Sequence, residues 1–168
     1  GSAMPQAPNA KKISAQTQDV IRTRAFQIVN NAGQAVVELV ASTDGGGLVF
    51  VNTAEGQRLA YIGSSASNGN GLVLVNSKEG KNLIALSSDS ENGEGYINIR
   101  NRNEERMIGL STDETDGLVR VYKEGNESLV YLGGSSLGNG LFNLYNQSGK
   151  RMITMSAGTT SGNQWIYN

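Results

Sequence analysis

The acidic residues are the first to test for chemistry. Asp89, Glu91 and Glu94 fall in one short stretch, and Asp113, Glu114 and Asp116 in another. Carboxylates this close suit calcium, which takes about six to eight oxygen ligands. Asp89-Ser90-Glu91-Asn92-Gly93 opens like a calcium loop, but its twelfth position is Arg100, where a bidentate glutamate belongs. The other reading is solvated turns whose charges keep sheet edges from pairing. That reading is adopted, with no metal and no cofactor, and calcium stays as the alternative. Glu55 and Glu79 recur at one turn position a whole repeat apart, so they do not face each other as a glycosidase pair would. The sequence has no His and no Cys. That removes the commonest general base, the Ser-His nucleophile, thiolate chemistry and a disulfide framework. Asp44-Gly45-Gly46-Gly47 runs into a strand pattern rather than a helix, which suits a turn and not a phosphate cradle. No catalytic residue is assigned, and the chain reads as a non-enzyme.

The aromatic residues are the remaining candidates for recognition. Tyr61, Tyr122, Tyr131 and Tyr145 read mainly as cross-strand packing. Trp165 and Tyr167 lie at the end of the chain. They read either as a contact surface at a tip or as an apolar cap.

What could position such residues is a repeat. The chain has 168 residues, 22 Gly and 18 Asn, and its only two prolines are Pro5 and Pro8. A Gly- and Asn-rich body without Pro predicts many tight turns between short strands. Anchoring at Gly47, Gly71, Gly95, Gly117 and Gly140 gives spacings of 24, 24, 22 and 23 residues. Arg24 takes the anchor place in a first copy, and Gln164 is read as the anchor of a truncated seventh. With the anchor as position 0, position 2 is Phe26, Val49, Val73, Ile97, Val119 and Phe142. Position 4 is Ile28, Val51, Val75, Ile99, Val121 and Leu144. Position 13 is Val37, Ala60, Ile84, Ile108, Val130 and Ile153. Position 15 is Leu39, Ile62, Leu86, Leu110, Leu132 and Met155. All 24 of these places are apolar. The period within each half is two, which means strands.

A turn such as Glu55-Gly56 or Glu79-Gly80 sits between the two halves of each copy. Each copy therefore reads as a β-hairpin with a two-residue turn at positions 8 and 9. Opposing positions then sum to 17, so that 2 faces 15 and 4 faces 13, all on one face. On the other face, 3 opposes 14. Phe50 meets Tyr61 as an aromatic pair, Arg120 meets Tyr131 as a cation–π pair, and Asn98 meets Gly109. Positions 1 and 12 are also mostly apolar, with Leu48 and Leu59 as examples, and this register sends them to the outer face.

The fold class is all-β: a repetitive antiparallel hairpin meander of 12 strands plus a last strand at 165–167. A sheet this wide, with one apolar face and no helix to cover it, needs a partner. Three chains close it as a triangular β-prism or as an intertwined triple β-helix. Twenty residues of the four apolar rows, all except Val37, Leu39, Ala60 and Phe142, are assigned to the trimer core. The remaining organisation is residues 1–8 as an expression scar and disordered lead, 9–23 as a linker or short helical or coiled-coil lead-in, and 24–168 as the repeats. A longer first strand from Val20 to Phe26 is a further reading of the lead-in.

The copies Gly-Leu-Val-Phe-Val-Asn from Gly47 and Gly-Leu-Phe-Asn-Leu-Tyr-Asn-Gln-Ser-Gly-Lys-Arg-Met-Ile from Gly140 resemble hairpin repeats of uncharacterised bacterial proteins. They are also similar to trimeric β-rich shafts of phage tail fibres and bacterial surface fibres. The resemblance covers Arg24 to Asn168. It departs where Glu104 and Asn126 replace the turn glycine of position 9. It implies an exported, elongated, homotrimeric module, extracellular or at a cell or virion surface. The expected function is a structural stalk that projects or spaces an attachment function. The alternative is a tip that binds a surface glycan or protein receptor. The net charge of -1 gives no basic surface for nucleic acid, and no apolar run is long enough to insert in a membrane as a helix.

Overall fold

The computed structural model describes residues 22–43, 45–65, 69–88, 93–112, 115–135, 137–158 and 161–167. Thirteen strands form a single sheet in strict chain order. They are β1 (Ala25–Val29), β2 (Ala35–Ala41), β3 (Gly47–Asn52), β4 (Arg58–Ser64), β5 (Gly71–Asn76), β6 (Asn82–Ser88) and β7 (Gly95–Arg100). The remainder are β8 (Arg106–Thr112), β9 (Gly117–Tyr122), β10 (Ser128–Gly134), β11 (Gly140–Tyr145), β12 (Arg151–Ala157) and β13 (Gly162–Ile166). Every neighbouring pair is antiparallel, and each strand touches only the strands before and after it in sequence. At about 4.8 Å per strand, the ladder is about 58 Å long. The first strand begins at Ala25, so the reading of a strand from Val20 does not hold within the described residues. The scar and most of the lead-in lie outside those residues.

The register agrees with the sequence pattern in the body of each hairpin. Val49 faces Ile62, Phe50 faces Tyr61 and Val51 faces Ala60. The same three pairings recur in the fifth copy, as Val119–Leu132, Arg120–Tyr131 and Val121–Val130. Beyond position 4 the sequence register slips by one residue. Position 5 pairs with position 11, as in Asn52–Arg58 and Tyr145–Arg151, and all six hairpins show the irregularity at this place. Position 12 is the extra residue of a β-bulge. This accounts for Leu59, Leu83, Met107, Leu129 and Met152, whose apolar character contradicted simple alternation. They belong to no regular cross-strand pair, and all are half-buried.

The bulge also changes the turn. The bulge at position 12, just past the turn, makes the loop three residues, positions 7 to 9, rather than two. Gly56 N–H donates to the Thr53 carbonyl at 3.0 Å, and Thr53 N–H donates to the Gln57 carbonyl at 2.8 Å. The side chain at position 6 supports the loop. Asn30 Oδ1 accepts from the N–H groups of Ala32 and Gln34, and Asn146 Oδ1 from those of Ser148 and Lys150. These are Asx-type turns, which explains the Asn, Ser and Thr at this position. The fifth copy has Lys123 there, and its turn carries two left-handed residues, Gly125 at φ 82° and Asn126 at φ 64°.

Position 9 is left-handed in all six copies, including the two without glycine. Glu104 is held at φ 66°, a conformation that costs an L-residue about 1–2 kcal/mol. Its carboxylate accepts from Asn82 N–H at 3.2 Å on an exposed edge, which offsets a little of that. Glu104→Gly is therefore expected to stabilise the protein by up to about 1 kcal/mol, less the entropy glycine adds to the unfolded chain. A calorimetric melting point at or below the parent's would contradict this account of the turn.

The last strand corrects the sequence reading. Ile153 pairs with Ile166, Thr154 with Trp165, Met155 with Gln164 and Ala157 with Gly162. At every earlier junction the residue at position 17 pairs with the next anchor, as Ser64 does with Gly71. The seventh anchor is thus Gly162, not Gln164. The error was two residues, so the faces are preserved: Ile166 lies on the apolar face, and Trp165 and Tyr167 on the other.

Candidate functional site

The sheet has two unlike faces. The four apolar rows stand on one face, every one of their side chains half-buried or exposed. All six residues at position 15 are exposed, with Ile62 at 52% and Met155 at 47%. Phe26, Ile28, Val51, Val75, Ile84, Ile99 and Ile166 are exposed on the same face. Val49, Val73, Ile97, Ile108, Val119, Val121, Val130, Leu144 and Ile153 are half-buried among them. Among the described residues, no large side chain of either face is fully buried. Between position 0 of the second copy and position 15 of the sixth, the four rows and their anchors carry no charge.

The anchor glycines border this face. In strands, glycine is ordinarily required by a positive φ or by crowding. Neither holds here. Gly47, Gly71, Gly95, Gly117 and Gly140 are not left-handed, and a Cβ added at any of them would meet nothing within 4 Å. Contrast Gly63 on the other face. A Cβ there would stand 2.5 Å from Leu48 Cδ2 and 2.9 Å from the Gly47 carbonyl oxygen. Gly63 and Gly133 follow Tyr61 and Tyr131 by two residues. Each tyrosine reaches over its glycine to donate its hydroxyl proton to a strand-end carbonyl, of Ser64 and Gly134 respectively.

The second face is a lattice of polar and aromatic cross-strand pairs. Gln27 Nε2 donates to Glu38 at 2.9 Å. The Phe50 and Tyr61 rings stand 5.5 Å apart, and Arg58 lies 3.6 Å over the Phe50 ring. Arg120 lies 5.3 Å over Tyr131. Thr154 Oγ1 donates to Asn143 Oδ1 at 2.8 Å, both residues being buried. Two contacts were not foreseen from sequence: Arg106 over Tyr122 at 4.5 Å and Arg151 over Tyr167 at 5.4 Å. With Gly162 as anchor they are one contact in two copies, position 11 against position 5 of the next. This independently supports the corrected seventh copy. Tyr145 is half-buried at position 5 of the sixth.

Asp89, Glu91, Asp113 and Glu114 lie outside the described residues. Among the described residues no three acidic, His or Cys side chains cluster as metal ligands would. Glu55 and Glu79 sit in the turns of adjacent hairpins. Glu55 is held below the usual carboxylate range by its own backbone N–H and by Thr53. Glu79 is lowered by Ser77, then by its own N–H and by Lys78 and Lys81. A lowered folded pKa means that the small stabilisation is present above the unfolded value and is lost as pH falls through the folded one. Trp165 is 44% exposed on the last strand.

This architecture defines an all-β, antiparallel hairpin-repeat sheet with one lattice-like polar face and one bare apolar face. Comparison with protein-family models and with curated protein sequences finds no match. Among the described residues, no helix is long and apolar enough to cross a membrane.

Proposed function

We propose that the chain is a non-enzymatic structural module of an elongated homotrimeric fibre or stalk at a cell or virion surface, which projects or spaces an attachment function. The observation that carries this reading is the apolar face that runs the length of the ladder and is uncovered among the described residues. Three copies with these faces inward make a closed triangular prism, each sheet one wall, with the polar lattice outward.

Exposure supports it. The large apolar side chains that stay exposed on that face run from Ile99 at 37% to Ile166 at 68%. The anchor glycines support it too. They leave room that no described residue uses.

A tip function is the second reading, favoured by the exposed Trp165 on a strand paired along one edge only. Multi-angle light scattering tests the assembly directly. The expected mass is roughly 53 kDa, three times 17.8 kDa. A stable folded species at the single-chain mass would reject the prism.

A further inference from the structure

The outer lattice has one gap. Five of the six hairpins fill the space between positions 3 and 14: with hydrogen bonds in the first and sixth, with ring contacts in the second and fifth, and with Leu74 against the buried Ala85 in the third. In the fourth, Asn98 faces Gly109. A hollow of about 350 Å³ opens there, lined by Glu94, Tyr96, Asn98, Arg106, Ser111 and Tyr122. A second, of about 390 Å³, adjoins it, sharing Asn98 and Arg106 and adding Arg100, Glu105 and Asn126. We propose that these two hollows are contiguous subsites for linked pyranose units of a glycan, on the side wall of the fibre rather than at its end.

The chemistry of the lining selects the ligand. Among the described residues the side chains of Glu94, Tyr96 and Asn98 make no hydrogen bond or ion pair, and Arg100, whose Nη1 donates to the Glu104 carbonyl at 2.9 Å, has its Nε buried without a partner. They present acceptors and donors together: a carboxylate, an amide, a phenol and a guanidinium. Sugar hydroxyls do both jobs and match such a mixture. The two carboxylates and two guanidiniums cancel, so neither an anion nor a cation is preferred. The Tyr122 ring is 4% exposed, packed beneath the Arg106 guanidinium at 4.5 Å, its Cε2 3.5 Å from where a Gly109 Cβ would stand. Each hollow lies at the small end of the roughly 300–1,000 Å³ typical of ligand sites, room for one ring apiece. The site needs only this face to remain outward, so it stands or falls apart from the trimeric reading.

Gly109→Thr tests it cleanly. Thr154 opposite Asn143 is the same pair filled, so a threonine at 109 has a place to sit and a partner in Asn98. Gly109 is not left-handed, and its added Cβ makes only ordinary contacts. The variant is expected to melt at or above the parent temperature. The measurement is saturation-transfer NMR on the full chain, with methyl pyranosides of common hexoses and N-acetylhexosamines and their disaccharides as probes. Transfer to at least one probe is expected in the parent, a disaccharide giving more than its monosaccharide, with binding at least about tenfold weaker in Gly109→Thr. Asn98→Ala gives the same loss without adding bulk, and carries the test if the threonine variant does not fold. No transfer to any probe, or equal transfer in parent and variants, overturns the proposal.

Discussion

Ile108→Asp is expected to abolish the assembly. Ile108 lies mid-ladder at position 13, with Ile99 across one strand boundary and Val121 across the other. In the single chain it is only half-buried, so a carboxylate there keeps contact with water. In a prism the same change places three carboxylates around one axis. Burying an unpaired charge costs several kcal/mol at each site, and the three repel one another. The trimer mass should disappear, with a large fall in melting temperature. Lys81→Asp is the control. Lys81 is exposed, and its ammonium donates to the Arg102 carbonyl at 2.8 Å. Its loss should shift stability by less than about 1 kcal/mol. Equal effects from the two variants would mean that the apolar face is not the interface.

The double variant Gly71→Val, Gly95→Val turns on a conflict between chain and assembly. Judged from one chain, both changes are favourable. Neither glycine is left-handed, no neighbour lies within 4 Å of either new Cβ, and valine suits a strand better than glycine. A lone sheet should gain about 0.5–1 kcal/mol at each site. If another chain packs along the anchor column, each isopropyl group instead overpacks the seam. That costs about 1–3 kcal/mol per site and recurs in all three copies. The expected result is a weakened or lost trimer, seen by sedimentation, with a lowered melting point. An assembled variant that melts higher than the parent would show that the column faces solvent.

The pairing of positions 2, 3 and 4 with 15, 14 and 13 was legible because six imperfect copies of one alternating pattern admit a single register. The bulge was not. An apolar residue at position 12 looks, by alternation alone, like an outer-face residue, and only backbone pairing shows that it is surplus to the ladder. The turn length went wrong for the same reason, since a bulge removes one residue from the count on one side. The misplaced seventh anchor came from starting that copy at Gln164 when Gly162, 22 residues after Gly140, repeats the spacing already seen. The Arg106–Tyr122 and Arg151–Tyr167 contacts join different copies. Their signal, arginine at position 11 and tyrosine at the next position 5, lay in the sequence but needed a correct seventh copy to appear twice. The gap at Asn98 and Gly109 was visible as a pair of small residues. That the neighbours leave polar groups unused around it was not.

Pairing that runs only between consecutive strands has a mechanical consequence. The strands lie crosswise to the line joining β1 and β13, so tension along that line pulls each ladder open bond by bond instead of shearing a whole strand at once. Hydrogen bonds loaded this way yield singly, and the force needed stays low. Each hairpin that opens frees about 23 residues, which extend to roughly 80 Å in place of the roughly 10 Å that two strands occupy in the ladder. In the proposed trimer, side-chain packing against neighbouring chains, and not the backbone ladder, would carry the resistance under load. A stalk of this kind would lengthen in steps of one repeat, a spring with as many stages as it has hairpins.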